Sequence, residues 1–437
     1  MYILGKLKKP LSRASWRPKL LWIILIHQEL DRARDIIMTM KFIFSLNLIL
    51  MLWTQTSYAG IRHQRVTWHE NPSTEATISW TSDKKDESSI VYYDTIPKGD
   101  KLRAYRYVSS PYSQGKYARG IFHRGPFYNH ARLINLLPDT DYHFVIVSDK
   151  AQTKELWFRT APASKKNIRL LFGGDSRSDH EQRLVMNGLM KDLLEMHPEI
   201  LALVHGGDYV NNGSSWPDWD KWLTHHSLTT TDKGRVLPII PTRGNHEFYA
   251  KLFNQVWDWP NEGKSYYTTE IQDIAIITLN TEVSIWGDQR DWLEMQLKSL
   301  NRDKKWIMAN YHRPAFPAVK KPSTARDAWV PLFETYQVDM VFESDGHVYK
   351  QTAPIFKDKV DQERGIIYVG EGGLGVKQRT PKDDRWFLQN DSGIAMSAHH
   401  VQLVTIEEDR LIYEGISEDG SVLGSIQLQP RPSRLND

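Results

Sequence analysis

Along residues 61–160 short apolar runs alternate with polar breaks. Arg65-Val66-Thr67-Trp68, Ala76-Thr77-Ile78-Ser79-Trp80 and Ser89-Ile90-Val91-Tyr92-Tyr93 read as β-strands with one side turned inward. Residues 129–134 follow, then the turn Leu137-Pro138-Asp139-Thr140, then a run at 142–147; residues 156–160 close the set. Short strands at this spacing, divided by Pro, Asp and Gly, predict an all-β sandwich over 60–161. The small, polar stretch 161–166 reads as a linker.

From residue 168 the period changes. Apolar runs at 168–172, 201–204, 236–240, 274–279, 306–309, 338–342 and 366–369 read as strands, and 180–196 and 289–300 as amphipathic helices. Strands at 400–406, 411–416 and 422–427 finish this α/β domain, placed at 165–430 with a tail at 431–437. Five of its strands run into turns that carry Asp, Asn or His: Gly174-Asp175, Gly207-Asp208, Gly244-Asn245-His246, Tyr311-His312 and Asp345-Gly346-His347. Carboxyl ends of strands in an α/β sheet gather along one edge, where ligands bind. Asp175, Asp208, Asn245, His312 and His347 are therefore expected together. Any one of them alone reads more simply as a turn or capping residue; the ordered set does not.

Oxygen and imidazole donors of this kind suit a pair of metal ions about 3.5–4 Å apart, which activate a water and stabilise a transferring phosphoryl group. Asp208 has two carboxylate oxygens and is the bridging candidate. Asp175 and His347 then serve one ion, Asn245 and His312 the other. His246 cannot easily face the same ion as its neighbour Asn245, so its expected place is on the phosphate or the leaving oxygen.

Composition narrows this picture. The chain has no cysteine, so any metal sits on N and O atoms, a set that suits Fe, Zn or Mn. Met40-Lys41, the apolar run 42–53 and the small residues Ser57 and Ala59 read as a signal peptide at 38–59, cut near Gly60. Residues 1–37 then form an over-extended start or a leader, and the protein is expected to be exported, periplasmic or extracellular. The run is short for a membrane span, so no span is expected in the mature chain. Residues 1–59 carry nine Lys or Arg against three Asp or Glu. The formal charge of +3 for the whole chain thus hides an acidic remainder, and no basic nucleic-acid surface is evident.

The blocks Asp175, Gly207-Asp208, Gly244-Asn245-His246-Glu247, Tyr311-His312-Arg313-Pro314 and Gly346-His347-Val348-Tyr349 resemble those of the calcineurin-like metallophosphoesterases. More narrowly, the chain resembles the purple acid phosphatases, over roughly residues 62–430. Leu137-Pro138-Asp139-Thr140-Asp141-Tyr142 and the opening Trp68-His69 are similar to that group's fibronectin type III-like first domain. The resemblance implies a four-layer αββα catalytic core and hydrolysis of a small phosphate ester. Three departures stand out. Asn211 occupies the place of that group's metal-ligand tyrosine, and Tyr209 is no evident substitute, so neither purple colour nor ferric iron is implied. Aligning Val348-Tyr349 and Thr352 with the family's last block puts His347 on its second histidine and Asp345 on its first. The other register, with His347 first and Tyr349 second, loses that alignment and the ligand Asp345. Arg177 stands where many relatives outside the purple group have a metal-binding histidine; an arginine there suits a phosphate oxygen.

Arg243, His180, Tyr349, Glu371 and Asn211 are further candidates for substrate contact, each with a structural alternative. The aromatic stretches Trp216-Pro217-Asp218-Trp219 and Trp257-Asp258-Trp259-Pro260 suit either the mouth of a cleft or the packing of a long loop. The sequence reads best as a two-metal phosphomonoesterase. The alternatives are a phosphodiesterase on the same site and a binding protein whose metal site has decayed, the latter motivated by Asn211 and Asp345.

Overall fold

The computed structural model describes residues 60–431 except 119–125, 149, 248–250, 260–264 and 390–392. The expected leader and signal, at 1–37 and 38–59, and the tail from 432 lie outside the described residues.

Two antiparallel sheets build the first module. Ile61–Thr67, Ala76–Ser82, Phe127–Leu133 and Ser113–Lys116 form one face; Tyr107–Ser109, Ile90–Asp94, Asp141–Ser148, Ala151–Gln152 and Leu156–Arg159 form the other. Alternation decides which side chains go inward. Along Asp141–Ser148, Tyr142, Phe144 and Ile146 are buried, and they meet Val66, Ile78 and Trp80 from the opposing sheet. The turn before this strand is tied from within. The Tyr142 hydroxyl accepts a hydrogen bond from the Leu137 backbone N–H at 2.8 Å, as in the tyrosine corner of such sandwiches.

The second module stacks two sheets between two sets of helices. Parallel strands Ile168–Gly173, Ile200–His205 and Ile239–Pro241 lie in one sheet, extended by the antiparallel strands His400–Ile406, Leu411–Ser417 and Val422–Leu428. Ile274–Thr278, Trp306–Asn310, Met340–Glu343 and Ile367–Gly370 form the parallel centre of the other. Alternate residues of these strands, Phe172 and Phe342 among them, share the core between the sheets, where the two rings stack at 3.6 Å. The outer faces pack separately. His180–Met196, Trp216–His226 and Lys251–Trp257 cover the first sheet; Asp288–Asp303 and Val330–Thr335 cover the second. Strands buried on both faces explain why the sequence shows continuous apolar runs here instead of alternation.

The two modules share more than a linker. Thr67 pairs in parallel with Ile239, and the Trp68 N–H donates to the Ile239 carbonyl at 2.9 Å. One ten-stranded sheet therefore runs from the sandwich into the α/β module. Arg65 reinforces the join, donating through Nε to the Val256 carbonyl at 3.0 Å.

The stretch at Trp216, read from the sequence as a loop after a strand, is the helix Trp216–His226, and Trp257 ends the helix Lys251–Trp257. Ser215 caps the first of these by accepting from the Asp218 N–H, and Pro217 fills its first turn. Trp216, Trp219 and Trp257 are buried: Trp219 and Trp257 pack around Tyr209, as does Trp222, and Trp216 stacks on Tyr117 at 4.1 Å. Of the two uses open to these tryptophans, packing is the one the structure shows.

Candidate metal centre

The turns after five strands approach one another closely. Gly207 has φ +95°, and a Cβ there would lie 2.6 Å from the Gly244 nitrogen, so only glycine admits this contact. Asp175, Asp208, Asp345 and His347 all adopt left-handed backbone, with φ between 53° and 69°. Four non-glycine residues in that sparsely allowed region, all in one site, mark backbone held by its surroundings. The Asp345 N–H donates to Asp175 Oδ2 at 2.8 Å, and the His347 N–H to the Glu371 carbonyl at 2.7 Å.

Asp175, Asp208, His312 and Asp345 each offer a ligand atom within 4.8 Å of the others, and all four are buried. His312 Nε2 lies 3.3 Å from Asp208 Oδ1, 3.7 Å from Asp345 Oδ1 and 3.1 Å from Asn245 Oδ1. His347 Nε2 lies 3.2 Å from Asp175 Oδ1. All six ligand candidates from the sequence are thus brought together. Asp345 faces His312 while His347 faces Asp175, the division that the preferred register implies.

The two imidazoles are oriented alike. His312 Nδ1 is 2.8 Å from the Gly206 carbonyl and His347 Nδ1 is 3.3 Å from the Lys377 carbonyl. A carbonyl only accepts, so each Nδ1 carries hydrogen, and each Nε2, facing the carboxylates, is the atom that takes up a proton or a metal ion. His347 Nε2 and Asp175 Oδ1 are buried without a hydrogen bond among the described residues. Two orphaned donor atoms, three carboxylates and two oriented imidazoles fit hard or borderline metal ions.

The electrostatics agree. Burial opposes charge on His312, yet Asp208, Asp175 and Asp345 hold its pKa well above the ordinary histidine value. Burial likewise works to raise Asp208, but His312 and His246 pull it below the ordinary carboxylate range. Carboxylates that favour a proton on Nε2 favour a metal cation there equally, and the two compete.

An arginine and a further histidine adjoin the cluster. Arg177 donates through Nε to Asp208 Oδ2 at 3.2 Å and through Nη1 to Asn211 Oδ1 at 3.0 Å. His246 Nδ1 is tied to the Asn211 carbonyl at 2.6 Å, which leaves Nε2 3.8 Å from Asp208 Oδ2. Asn211 thus steadies both groups from the rim. The other candidates have partners of their own. Tyr349 is buried against His400, with its hydroxyl toward Gln351. His180 pairs with Lys221 and His225. Arg243 Nε donates to the Glu247 carbonyl at 3.0 Å. Glu371 is buried behind the Gly346 turn, where its carboxylate accepts from the Ala318 N–H. Tyr209 points inward, stacked on His205 at 3.9 Å.

Two residues near the cluster escape sequence reasoning. The Glu247 carboxylate accepts backbone N–H bonds from Asp208 at 3.0 Å, Tyr209 at 2.9 Å, Val210 at 3.3 Å and Gly244 at 3.0 Å. It welds the Asp208 turn to the Asn245 turn. Burial, then the charge of Asp208, pushes its carboxyl up to about 8. Its place in the Gly-Asn-His-Glu block was the available signal. Lys320 forms an ion pair with Asp345 Oδ1; nothing in its local sequence distinguishes it from a surface lysine.

The stacked sheets and the cluster at their strand ends define a metal-dependent phosphoesterase. Known proteins give the same class. Residues 61–160 match the family described as purple acid phosphatase, N-terminal domain, and residues 180–349 match the calcineurin-like phosphoesterase family. Purple acid phosphatase 18 of Arabidopsis thaliana is 26% identical over 359 residues, covering 75% of this chain and 73% of its own length. An uncharacterised Mycobacterium tuberculosis protein is 24% identical over 403 residues, with the same shares of both chains. Among solved structures, the yellow lupin purple acid phosphatase PPD1 superposes with a TM-score of 0.72 over 86% of this chain and 75% of its own, at 15% identity. That likeness concerns the fold. The chain belongs to the calcineurin-like metallophosphoesterase superfamily, in its purple acid phosphatase-like group with an N-terminal fibronectin type III-like domain.

Proposed function

We propose that this protein hydrolyses phosphate monoesters at a two-metal centre. The observation that carries the reading is the pair of imidazoles, His312 and His347, each tied at Nδ1 and aimed at the Asp175, Asp208 and Asp345 carboxylates. Asp208 would serve both ions, Asp175 and His347 would hold one, and Asn245, His312 and Asp345 would hold the other. Such a pair, when bound, supplies Lewis acidity and a hydroxide nucleophile at neutral pH.

The chain's own groups do the rest. Arg177, held by Asp208 and Asn211, offers its remaining N–H groups to phosphoryl oxygens. His246 has Nδ1 fixed on a carbonyl, so its Nε2 is the atom that exchanges a proton with the leaving oxygen. Relatives named purple acid phosphatase, and one named phosphoenolpyruvate phosphatase from Allium cepa, support the monoester reading. Iron, zinc and manganese all suit the donors. Export rests on the segment Met40-Lys41 to Ala59, and N-terminal sequencing of protein recovered outside the cytoplasm tests it.

Metal quantification on purified wild type and Asp208→Ala, with rates on p-nitrophenyl phosphate and its bis ester, tests the function. Two equivalents in wild type, loss in the variant and a faster monoester reaction are expected. A faster diester reaction would overturn the substrate class. Metal without turnover on any ester would point to a binding protein.

A further inference from the structure

Arg177 reaches the cluster through Asp208. Lys320 reaches it through Asp345, from the loop that follows His312. That loop is held from below by buried charge. Glu343 Oε1 accepts from the Ala315 N–H at 2.6 Å, Lys350 Nζ donates to the Phe316 carbonyl at 2.9 Å, and Glu371 Oε2 accepts from the Ala318 N–H at 3.0 Å. From the outside, Lys382 N–H donates to the Ala318 carbonyl at 2.9 Å and Arg385 Nη2 to the Lys320 carbonyl at 2.7 Å. The Lys320 backbone is therefore built into place, whereas its side chain keeps 36% of its surface exposed.

Asp345 Oδ1 lies 3.7 Å from His312 Nε2, so the Lys320 ammonium sits beside two candidate ligands of one ion. One carboxylate oxygen does not serve an ion and an ammonium equally well. The lysine stem is flexible, and its head withdraws from Asp345 without backbone movement. The nearest new anion is then a phosphate held at the cluster. Two other cations near the cluster have partners of their own. Arg313 pairs with Glu282 at 2.8 Å, and Arg379 Nη1 donates to the Asp345 carbonyl at 3.0 Å.

We propose that Lys320 is a substrate-contacting residue whose ammonium binds a phosphoryl oxygen and selects the doubly charged monoester over the singly charged diester. The proposal rests on the two-metal phosphoesterase reading and gives it a basis for substrate class. A fixed cation attracts a dianion roughly twice as strongly as a monoanion at the same distance.

The test uses the metal-loaded full chain with Lys320→Met and Lys320→Arg. Inorganic phosphate affinity is read by calorimetry, metal content by mass spectrometry, and kcat and KM on p-nitrophenyl phosphate and its bis ester. Lys320→Met is expected to weaken phosphate binding about tenfold and to raise monoester KM by a similar factor, with diester kcat/KM falling only about threefold, half the loss in free energy. Lys320→Arg restores most of the loss, and metal content stays unchanged. Unchanged phosphate affinity, or equal losses on both esters, would overturn the proposal. Loss of metal in Lys320→Met would overturn it too, by assigning the lysine to Asp345 alone. A wild type that prefers diesters defeats the monoester reading separately, and the phosphate affinities still decide Lys320.

Discussion

Replacing Glu247 with alanine tests how the centre is held together. The carboxylate accepts four buried N–H groups, three from the turn at Asp208 and one from Gly244. A buried donor left without an acceptor costs ~1–3 kcal/mol. Water entering the space reduces the sum by re-satisfying some donors. We expect Glu247→Ala to lower unfolding free energy by about 3–5 kcal/mol and metal affinity by about tenfold or more, as for partners that orient ligands. Glu247→Gln keeps one accepting oxygen but turns an NH₂ toward other donors, so about half the loss is expected. Urea unfolding followed by tryptophan fluorescence, alongside metal content, measures both. Stability within about 1 kcal/mol of wild type, with metal retained, would refute the idea that Glu247 welds the two turns.

Gly244→Ala should cost metal and activity together, because its Cβ would meet the backbone nitrogen and carboxylate of Asp208; full metal occupancy in that variant would count against the close packing. Tyr142→Phe removes the hydroxyl that satisfies the Leu137 N–H, and calorimetry should show a loss of about 1–2 kcal/mol. Burial pulls His69 and His130 down to about 4. The folded state disfavours their protonated forms, so their contribution is complete above the unfolded value near 6.5. It fades as pH falls through the window to about 4, at ~1.4 kcal/mol per pH unit for each group. Urea midpoints should therefore drop between pH 7 and 4.5, and His130→Gln should flatten that slope; an unchanged slope would exclude His130 as a contributor.

Much of the centre was visible in the chain because its signal is local. Asp175, Asp208 and Asn245 follow apolar strands of one sheet, and His312 and His347 follow apolar strands of the other; within each sheet the carboxyl ends converge by topology, but nothing local showed that two stacked sheets share the site. Glu247 was visible only as part of a block. What it does depends on N–H groups 37 to 39 residues away, and no periodicity carries that information. Lys320 is harder still, since its backbone position depends on Glu343, Lys350 and Glu371 from three other segments. Trp216 and Trp219 suited a cleft or a core equally by composition. The sequence there reads as a loop, whereas Ser215 caps a helix with Pro217 in its first turn, and the buried face of that helix decides for packing. The pairing of Thr67 with Ile239 had no local signal, because a single parallel bridge between distant strands leaves no pattern in either.

That bridge bears on how the protein can be divided. Ile239–Pro241 leads within four residues to Asn245, and its outer neighbour in the sheet is Ile61–Thr67 from the sandwich. Cutting the chain at the linker would strip that neighbour away and leave bare peptide groups beside the catalytic turns. Exposed edges of this kind recruit other strands. The N-terminal module is in this sense a permanent edge guard, and a fragment starting at residue 165 is expected to aggregate where the full chain stays dispersed.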